Sequence, residues 1–479
     1  MFGLAIWDEK KQRLMLARDR LGIKMVYYTI KSGCLYFGSE IRALLACQQE
    51  KPEVDPVALN LFLRYRFTPS PLTLFQGIRK LAPGTRLIVE NGTARVERWW
   101  DFKPVPFDPM PTLQQAEEEL RALYQRAVNK HLISDVPVGL LLSGGLDSGL
   151  LLAFMNHNDC SWKTFTVGYG KSYADDELAD AARTAKFFNA AHASVEIDHE
   201  TFEASLQKIV SFLEEPIASP SVVPMYHLCE RARQEVKVAL IGQGPDELFG
   251  GYRRHLGVYY GACWRALPQW LRAPLGACVS ATTRSEWVKR GLHSLDVPQR
   301  MKRYQQVFSI VTGEVIDDLF QDGILSPQKA GDTILDCWHD LEPLMENSDE
   351  LAAFQFLEIR STLPDELLMY ADKLSMANSL EVRVPYLDHE IVEYVERLPA
   401  SFKIRYGTGK WLHREVCKNF LPREIIQRKK RGFGVNVVDE WFRHAMAGTM
   451  DNMLLDRSSC MYKYLRPEKV EPLVIDHRA

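Results

Sequence analysis

The sequence predicts an α/β fold in two unequal parts: a β-rich opening, then a parallel sheet leading into a long helical stretch. Three observations carry that prediction. Up to residue 100, short apolar runs alternate with tight-turn signals, among them Pro83-Gly84 and Asn91-Gly92. A proline series, Pro104, Pro106, Pro109 and Pro111, then interrupts the chain. From residue 119 onward, apolar strands alternate with helix-length segments, the rhythm of a parallel sheet covered on both faces.

The elements follow in order. Residues 4–7 and 13–17 are short apolar runs parted by "DEKKQ", a hairpin-like pair. "VYYTI" and "CLYFGS" read as further strands, 40–49 and 55–65 as helical, and "GIRKLAPGTRLIVENGTARVERWW" as strands joined by turns. The prolines make a stiff, extended connector, so we place a linker at 101–118 between domains at 1–100 and 119–479. "LQQAEEELRALYQRAVNKHLI" has helical periodicity. "VPVGLLL", "WKTFTVGY", "AHASVEI" and "VKVALIG" read as strands, with helices at "GLLLAFMNH", "DDELADAARTAKFFN" and "VVPMYHLCERARQ". Beyond residue 252 the chain reads as mostly helical.

Composition narrows the function classes. A net charge of −3 gives no global basic field for nucleic acid. The nine cysteines are scattered, with no Cys-x-x-Cys pair, which suits reduced thiols in a cytoplasmic protein. No zinc-type Cys/His spacing occurs. The most apolar segment, 257–279, is broken by two arginines and two prolines, so it reads as packed or surface-lying helices rather than a membrane span.

Two strand ends carry unusual loops, and ligands of open α/β sheets bind at such ends. After "VPVGLLL" comes Ser143-Gly144-Gly145-Leu146-Asp147-Ser148. Its glycines allow a tight turn with exposed backbone N–H groups, and the two hydroxyls add donors for an anion. An aspartate there would repel phosphate unless a divalent cation lies between, so Asp147 implies Mg²⁺ on a polyphosphate. After "VKVAL" comes Ile241-Gly242-Gln243-Gly244-Pro245-Asp246-Glu247, read as a loop before a short helix at "LFGGY". Asp246 is the candidate second metal carboxylate. Each loop alone has a plainer reading, a turn with a capping aspartate. Two such loops in one sheet reinforce each other.

"SGGLDS" resembles the PP-loop of the ATP pyrophosphatases. With "GQGPDELFGGYRR", "LPDELLMYADKLSMANSLEVRVPYLDHEIVEYVERLP" and "KKRGFGV", the chain resembles the glutamine-dependent asparagine synthetases. "FGLAIWDEKKQRLMLARDRLGIKMVYY" and "FGSEIRALL" resemble the later part of that family's N-terminal glutaminase domain. The resemblance implies part of an Ntn-type glutaminase domain followed by a PP-loop, adenine nucleotide α-hydrolase-like domain. It implies an acid activated as its acyl-adenylate and then attacked by ammonia. Ser143, Gly144, Gly145, Asp147 and Ser148 would hold pyrophosphate and Mg²⁺. Leu142, Val167, Ile241 and Gly242 match positions that hold adenosine, and Asp246 shares the metal. Lys430 matches the lysine that neutralises charge on the phosphates during adenylation; on its own, "RKKR" reads as a solvated basic run. The seven charged residues Asp365, Glu366, Asp372, Lys373, Glu381, Arg383 and Asp388 are expected to form internal ion pairs around the substrate pocket, although Arg383 and Asp388 also suit a purely structural role.

Three departures from the family pattern stand out. The family's glutaminase nucleophile, a cysteine at the mature N-terminus, is not among these residues, and Cys34 and Cys47 are internal. This leaves a start taken at an internal methionine, a separate chain that completes the domain, or use of free ammonia; the start within a domain favours the first. Gln243 stands where the family usually has Glu or Asp, and an amide cannot accept a proton. Tyr370 stands where many relatives have a basic residue. Asp365 or Glu366 is the expected replacement carboxylate, so the candidate catalytic residues are Lys430, Gln243, Asp365 and Glu366. The expected partners are aspartate or another carboxylic acid, and ammonia or glutamine; a homodimer is left open. Competing readings are a family member that amidates or cyclises another acid, another PP-loop enzyme that modifies tRNA or nucleotides, and a nucleotide-binding paralogue without catalysis.

Overall fold

The computed structural model describes residues 1–48, 52–156, 161–170, 173, 176–282, 291, 294–311, 313–325, 327–428 and 435–478. The first domain holds two antiparallel sheets. One has the order β1-β2-β6-β7, from Gly3–Asp8, Arg13–Arg18, Thr85–Glu90 and Thr93–Arg98. The other has the order β4-β3-β5, from Cys34–Gly38, Tyr27–Lys31 and Arg79–Lys80. Asn91 and Gly92 both take positive φ, 51° and 73°, so they make the tight hairpin that their sequence predicts between β6 and β7.

Side-chain alternation sorts β3 between two cores. Tyr28 packs with Leu16, Val26, Leu81 and Leu87 between the sheets. Its neighbour Tyr27 points the other way, to Met25, Ile41, Leu44, Ile78 and Met369. Met369 belongs to the second domain, so the two domains share this core.

The connector runs without helix or strand from residue 101 to residue 112 and is pinned to the second domain. Arg397 lies over the Phe107 ring and donates to Val105 O at 2.9 Å. The helix that follows starts at Leu113, where Thr112 and Gln115 cap it reciprocally. It therefore takes the last six residues assigned to the linker from sequence, because a capping box outweighs the extended preference that the prolines impose further back.

Five parallel strands form the second domain's sheet, in the order β10-β9-β8-β11-β12. They are Val138–Leu141 (β8), Lys163–Gly168 (β9), Ala191–Glu196 (β10), Val238–Ile241 (β11) and Glu381–Arg383 (β12). From β8 the chain winds outward to β9 and β10, then returns to β11 on β8's other side. The crevice between β8 and β11 is thus the topological switch point, where ligands bind in such sheets. The core beneath is built from Leu140, Leu141, Phe165, Ala239 and Leu240 with Leu150–Met155 of the helix Leu146–Asn156.

The remainder is helical, as read, with three differences of detail. A short helix starts at Pro245 and ends at Phe249, with Gly250 left-handed at its C-cap. Asp246 and Glu247 therefore sit in its first turn, not in the loop before it, because Pro245 is preset for a first helical position. The segment Leu363–Leu368 is π-helical, and Pro385–Leu387 forms a 3₁₀ turn where an extended run was expected. Helices Arg253–Ala266 and Gln269–Thr282 cover the apolar segment 257–279. No helix among the described residues is long and apolar enough to cross a membrane.

Candidate active site

The first loop is tied to itself and to its neighbours. The Ser143 and Ser148 hydroxyls lie 2.9 Å apart, and Ser148 Oγ donates to Ser143 O at 3.0 Å. Gly145 N donates to Ser143 Oγ at 3.2 Å. A Cβ on Gly144 would stand 2.5 Å from Asp180 Cβ, so only glycine allows this approach. The Arg428 guanidinium locks the contact by donating to Gly144 O, Asp180 O and Thr184 Oγ1 at 2.8–3.0 Å.

The second loop touches the first, backbone to backbone. A Cβ on Gly242 would stand 2.9 Å from Ser148 N. The adenosine candidates Leu142, Val167 and Ile241 are buried at the carboxyl ends of β8, β9 and β11 or just beyond. All the nucleotide candidates from the two loops therefore gather at the switch point.

So do the metal candidates. Lys410 Nζ lies 2.7 Å from Asp147 Oδ2 and 2.9 Å from Asp246 Oδ1, one ammonium bridging both carboxylates. His413 Nε2 lies 3.1 Å from Asp147 Oδ1, while its Nδ1 is 2.8 Å from the Tyr124 hydroxyl. The Tyr386 hydroxyl donates to Asp147 O at 2.8 Å. Burial opposes charge on Asp147, but Lys410 and His413 outweigh it and hold the carboxyl well below its usual range. Burial likewise opposes charge on Lys410, and the two aspartates push its pKa up.

Lys410 and His413 were not foreseen. Lys410 reaches the site from the left-handed N-cap of the helix Trp411–Lys418, with Gly407-Thr408-Gly409 before it as the one local signal. The donor set fits Mg²⁺. Among the described residues no three His, Cys, Asp or Glu groups converge on one point. Two hard carboxylates suit an ion that takes its other ligands from water and phosphate oxygens.

Beyond Asp246 lies a charged flank. Gln243 Oε1 is buried there without a hydrogen-bond partner among the described residues. Glu247 accepts from the Tyr252 hydroxyl at 2.6 Å. Burial, then Asp246 and Glu358, push Glu247 up to about 8. Glu358 is held by Arg254 Nε at 2.8 Å and lies 2.7 Å from His255 Nε2. Glu366 meets Arg66 of the first domain at 3.2 Å. Burial raises the Glu366 carboxyl above its usual range. The Tyr370 phenol is buried, and burial and the Glu366 charge raise its pKa.

Asp365 does not join this flank. It is fully buried against the first domain, accepting from Ser70 N at 2.5 Å and Ser70 Oγ at 2.7 Å. Lys80 and Arg18 lie 3.8 and 3.9 Å from it. Adjacent residues of one π-helical turn project in different directions, which separates Asp365 from Glu366. Of the other charges, Asp372 pairs with Lys24 at 2.6 Å and Lys373 with Glu214, both at the domain boundary. Arg383 binds Glu381 and backbone carbonyls, and Asp388 caps the helix His389–Glu396; both roles are structural. Lys430 lies outside the described residues.

Comparison with known proteins adds an independent line. The asparagine synthase family model matches residues 119–479, and a glutamine amidotransferase domain model matches residues 1–100. The chain is 30% identical to the glutamine-hydrolyzing asparagine synthetase 1 of Bacillus subtilis, over all of this chain and 74% of that protein. It is 28% identical to amidase chyE of Penicillium rubens, over 90% of this chain and 69% of that one. A solved glutamine-dependent NAD⁺ synthetase from Acinetobacter baumannii, in complex with ADP, aligns at 14% identity and a TM-score of 0.22, over 64% of this chain and 79% of that one.

Proposed function

Since this chain belongs to the asparagine synthase family, we propose that it is an ATP-dependent ligase that adenylates aspartate and converts it to the amide. One observation carries the reading: the carboxylates of Asp147 and Asp246, from the ends of neighbouring strands, converge within 2.9 Å of a single ammonium. Two carboxylates so placed suit a metal-bound polyphosphate and would repel a bare one.

In this reading the loop N–H groups, with Ser143 and Ser148, bind the β- and γ-phosphates. Asp147 and Asp246 would hold Mg²⁺, which when bound supplies positive charge to the phosphate oxygens. A carboxylate oxygen of the acid attacks the α-phosphorus. The bond to the β-phosphate oxygen breaks, and pyrophosphate leaves with the electron pair. Lys410 and Lys430 offset the charge that grows on the leaving group, so they favour the transition state over the ground state. Ammonia then attacks the acyl carbon, AMP departs with the carbon–oxygen pair, and the surplus proton passes to Glu366. Gln243 can donate and accept hydrogen bonds here but cannot take that proton.

Gln243 and Tyr370 favour a second reading, the same chemistry on another carboxylic acid; the kinship with amidase chyE is compatible with it. Pyrophosphate release from Mg·ATP and ammonia, assayed across a set of carboxylic acids, separates the two. Release with aspartate supports the first, release with a different acid selects the second, and silence with all of them removes both.

A further inference from the structure

Arg66 sits at the end of the first-domain helix Pro56–Tyr65, in the left-handed conformation (φ 71°) that side chains rarely adopt. Its backbone is held there from the second domain, because Ala218 N donates to Arg66 O at 2.9 Å. The preceding turn is anchored the same way, with Ile310 N on Arg64 O at 2.9 Å and the Arg64 guanidinium on Asp317 at 2.6 Å. This strained residue aims its side chain at Glu366 of the second domain.

Two arginines reach Glu366 electrostatically on that flank, Arg66 and Arg254. Arg254 is committed: it binds Glu358 and stacks 4.4 Å over the Tyr252 ring. Arg66 makes one ion pair, at 3.2 Å to Glu366, and its Nε is buried without a partner among the described residues. Its side chain is 36% exposed. A guanidinium carries five donors in a planar fork that matches a carboxylate. Among the described residues, Arg66 is therefore a cation on this flank with donors to spare.

We propose that Arg66 is a specificity-determining residue, supplied by the first domain, that binds the carboxylate of the acid substrate which is not activated. The substrate class is then a dicarboxylic acid, one carboxylate on Arg66 and the other directed at the α-phosphorus. The inference rests on the ligase reading above, and it assigns part of the acceptor site to a domain otherwise matched only to a glutaminase.

The test supplies ammonia directly, so that glutamine hydrolysis plays no part, and compares Arg66→Ala with the unaltered chain by pyrophosphate release. The expected result is a tenfold or larger rise in KM for the dicarboxylic acid with KM for ATP unchanged. With the matching monocarboxylic acid, the two proteins should give the same KM for the acid, whatever kcat loses through Glu366. Arg66→Lys should recover part of the affinity, and it carries the comparison if the alanine variant does not fold. Equal rises in KM with both acids, a parallel rise in KM for ATP, or no change with either acid overturns the proposal. Release by the unaltered chain with monocarboxylic acids alone overturns it while leaving the ligase reading in place. Silence of the unaltered chain with every acid removes both.

Discussion

Gly242 passes so close to Ser148 that a single added methyl group would come within 2.9 Å of the Ser148 amide nitrogen. The two acidic loops are thus one rigid unit, and their spacing sets the distance between Asp147 and Asp246. Gly242→Ala is expected to push the loops apart. A displacement of this order lowers kcat by about 10²-fold. Pyrophosphate release measures the loss, and an unchanged circular dichroism spectrum shows that the fold survives.

Lys410 neutralises two carboxylates that are mostly withdrawn from water, with side-chain exposures of 8% for the lysine and 18% and 17% for its partners. Removing one member of such a cluster leaves uncompensated charge. Lys410→Met is expected to destabilise the metal-free protein by about 3 kcal/mol. Millimolar Mg²⁺ should restore part of that loss, since an ion that binds only the folded state stabilises it. Urea midpoints with and without Mg²⁺ check both statements.

Glu358 sets an acid limit on stability. Burial pushes its carboxyl up, but Arg254 and His255 outweigh burial and hold it below the ordinary 4.5. A depressed carboxyl stabilises the fold above its unfolded-state value, and that contribution is lost as pH falls through the folded-state value. Stability should therefore fall on acidification below about pH 4.5. Glu358→Gln should cost about 3–5 kcal/mol near neutrality and flatten that fall. Urea titrations over a pH series read both effects.

Asp365 belongs to the boundary between the domains. Asp365→Asn leaves Lys80 and Arg18 buried with less compensation, and is expected to cost about 3–5 kcal/mol. Hydrogen exchange should report the loss first around Ser70 and β5, which face it.

What could be read from sequence was local. "SGGLDS" and "GQGPDE" are contiguous strings at strand ends, so their residues declare a shared site before any fold is known. Lys410 and His413 reach Asp147 from more than 260 residues away along the chain. Only the helical packing brings them there, and a lysine before a helix signals nothing by itself. Asp365 and Glu366 show the converse. Sequence adjacency suggested a common role, but one π-helical turn gives Asp365 to the domain boundary and Glu366 to the flank. Arg66 lies in a different domain from Glu366, and their pairing across the boundary is invisible to motif or periodicity.

Product analysis with aspartate, Mg·ATP and ammonia tests the adenylation claim most directly. AMP and pyrophosphate should form in step with the amide, and Asp147→Asn should abolish all three. ADP and orthophosphate as products, or amide formation that survives in Asp147→Asn, would contradict it.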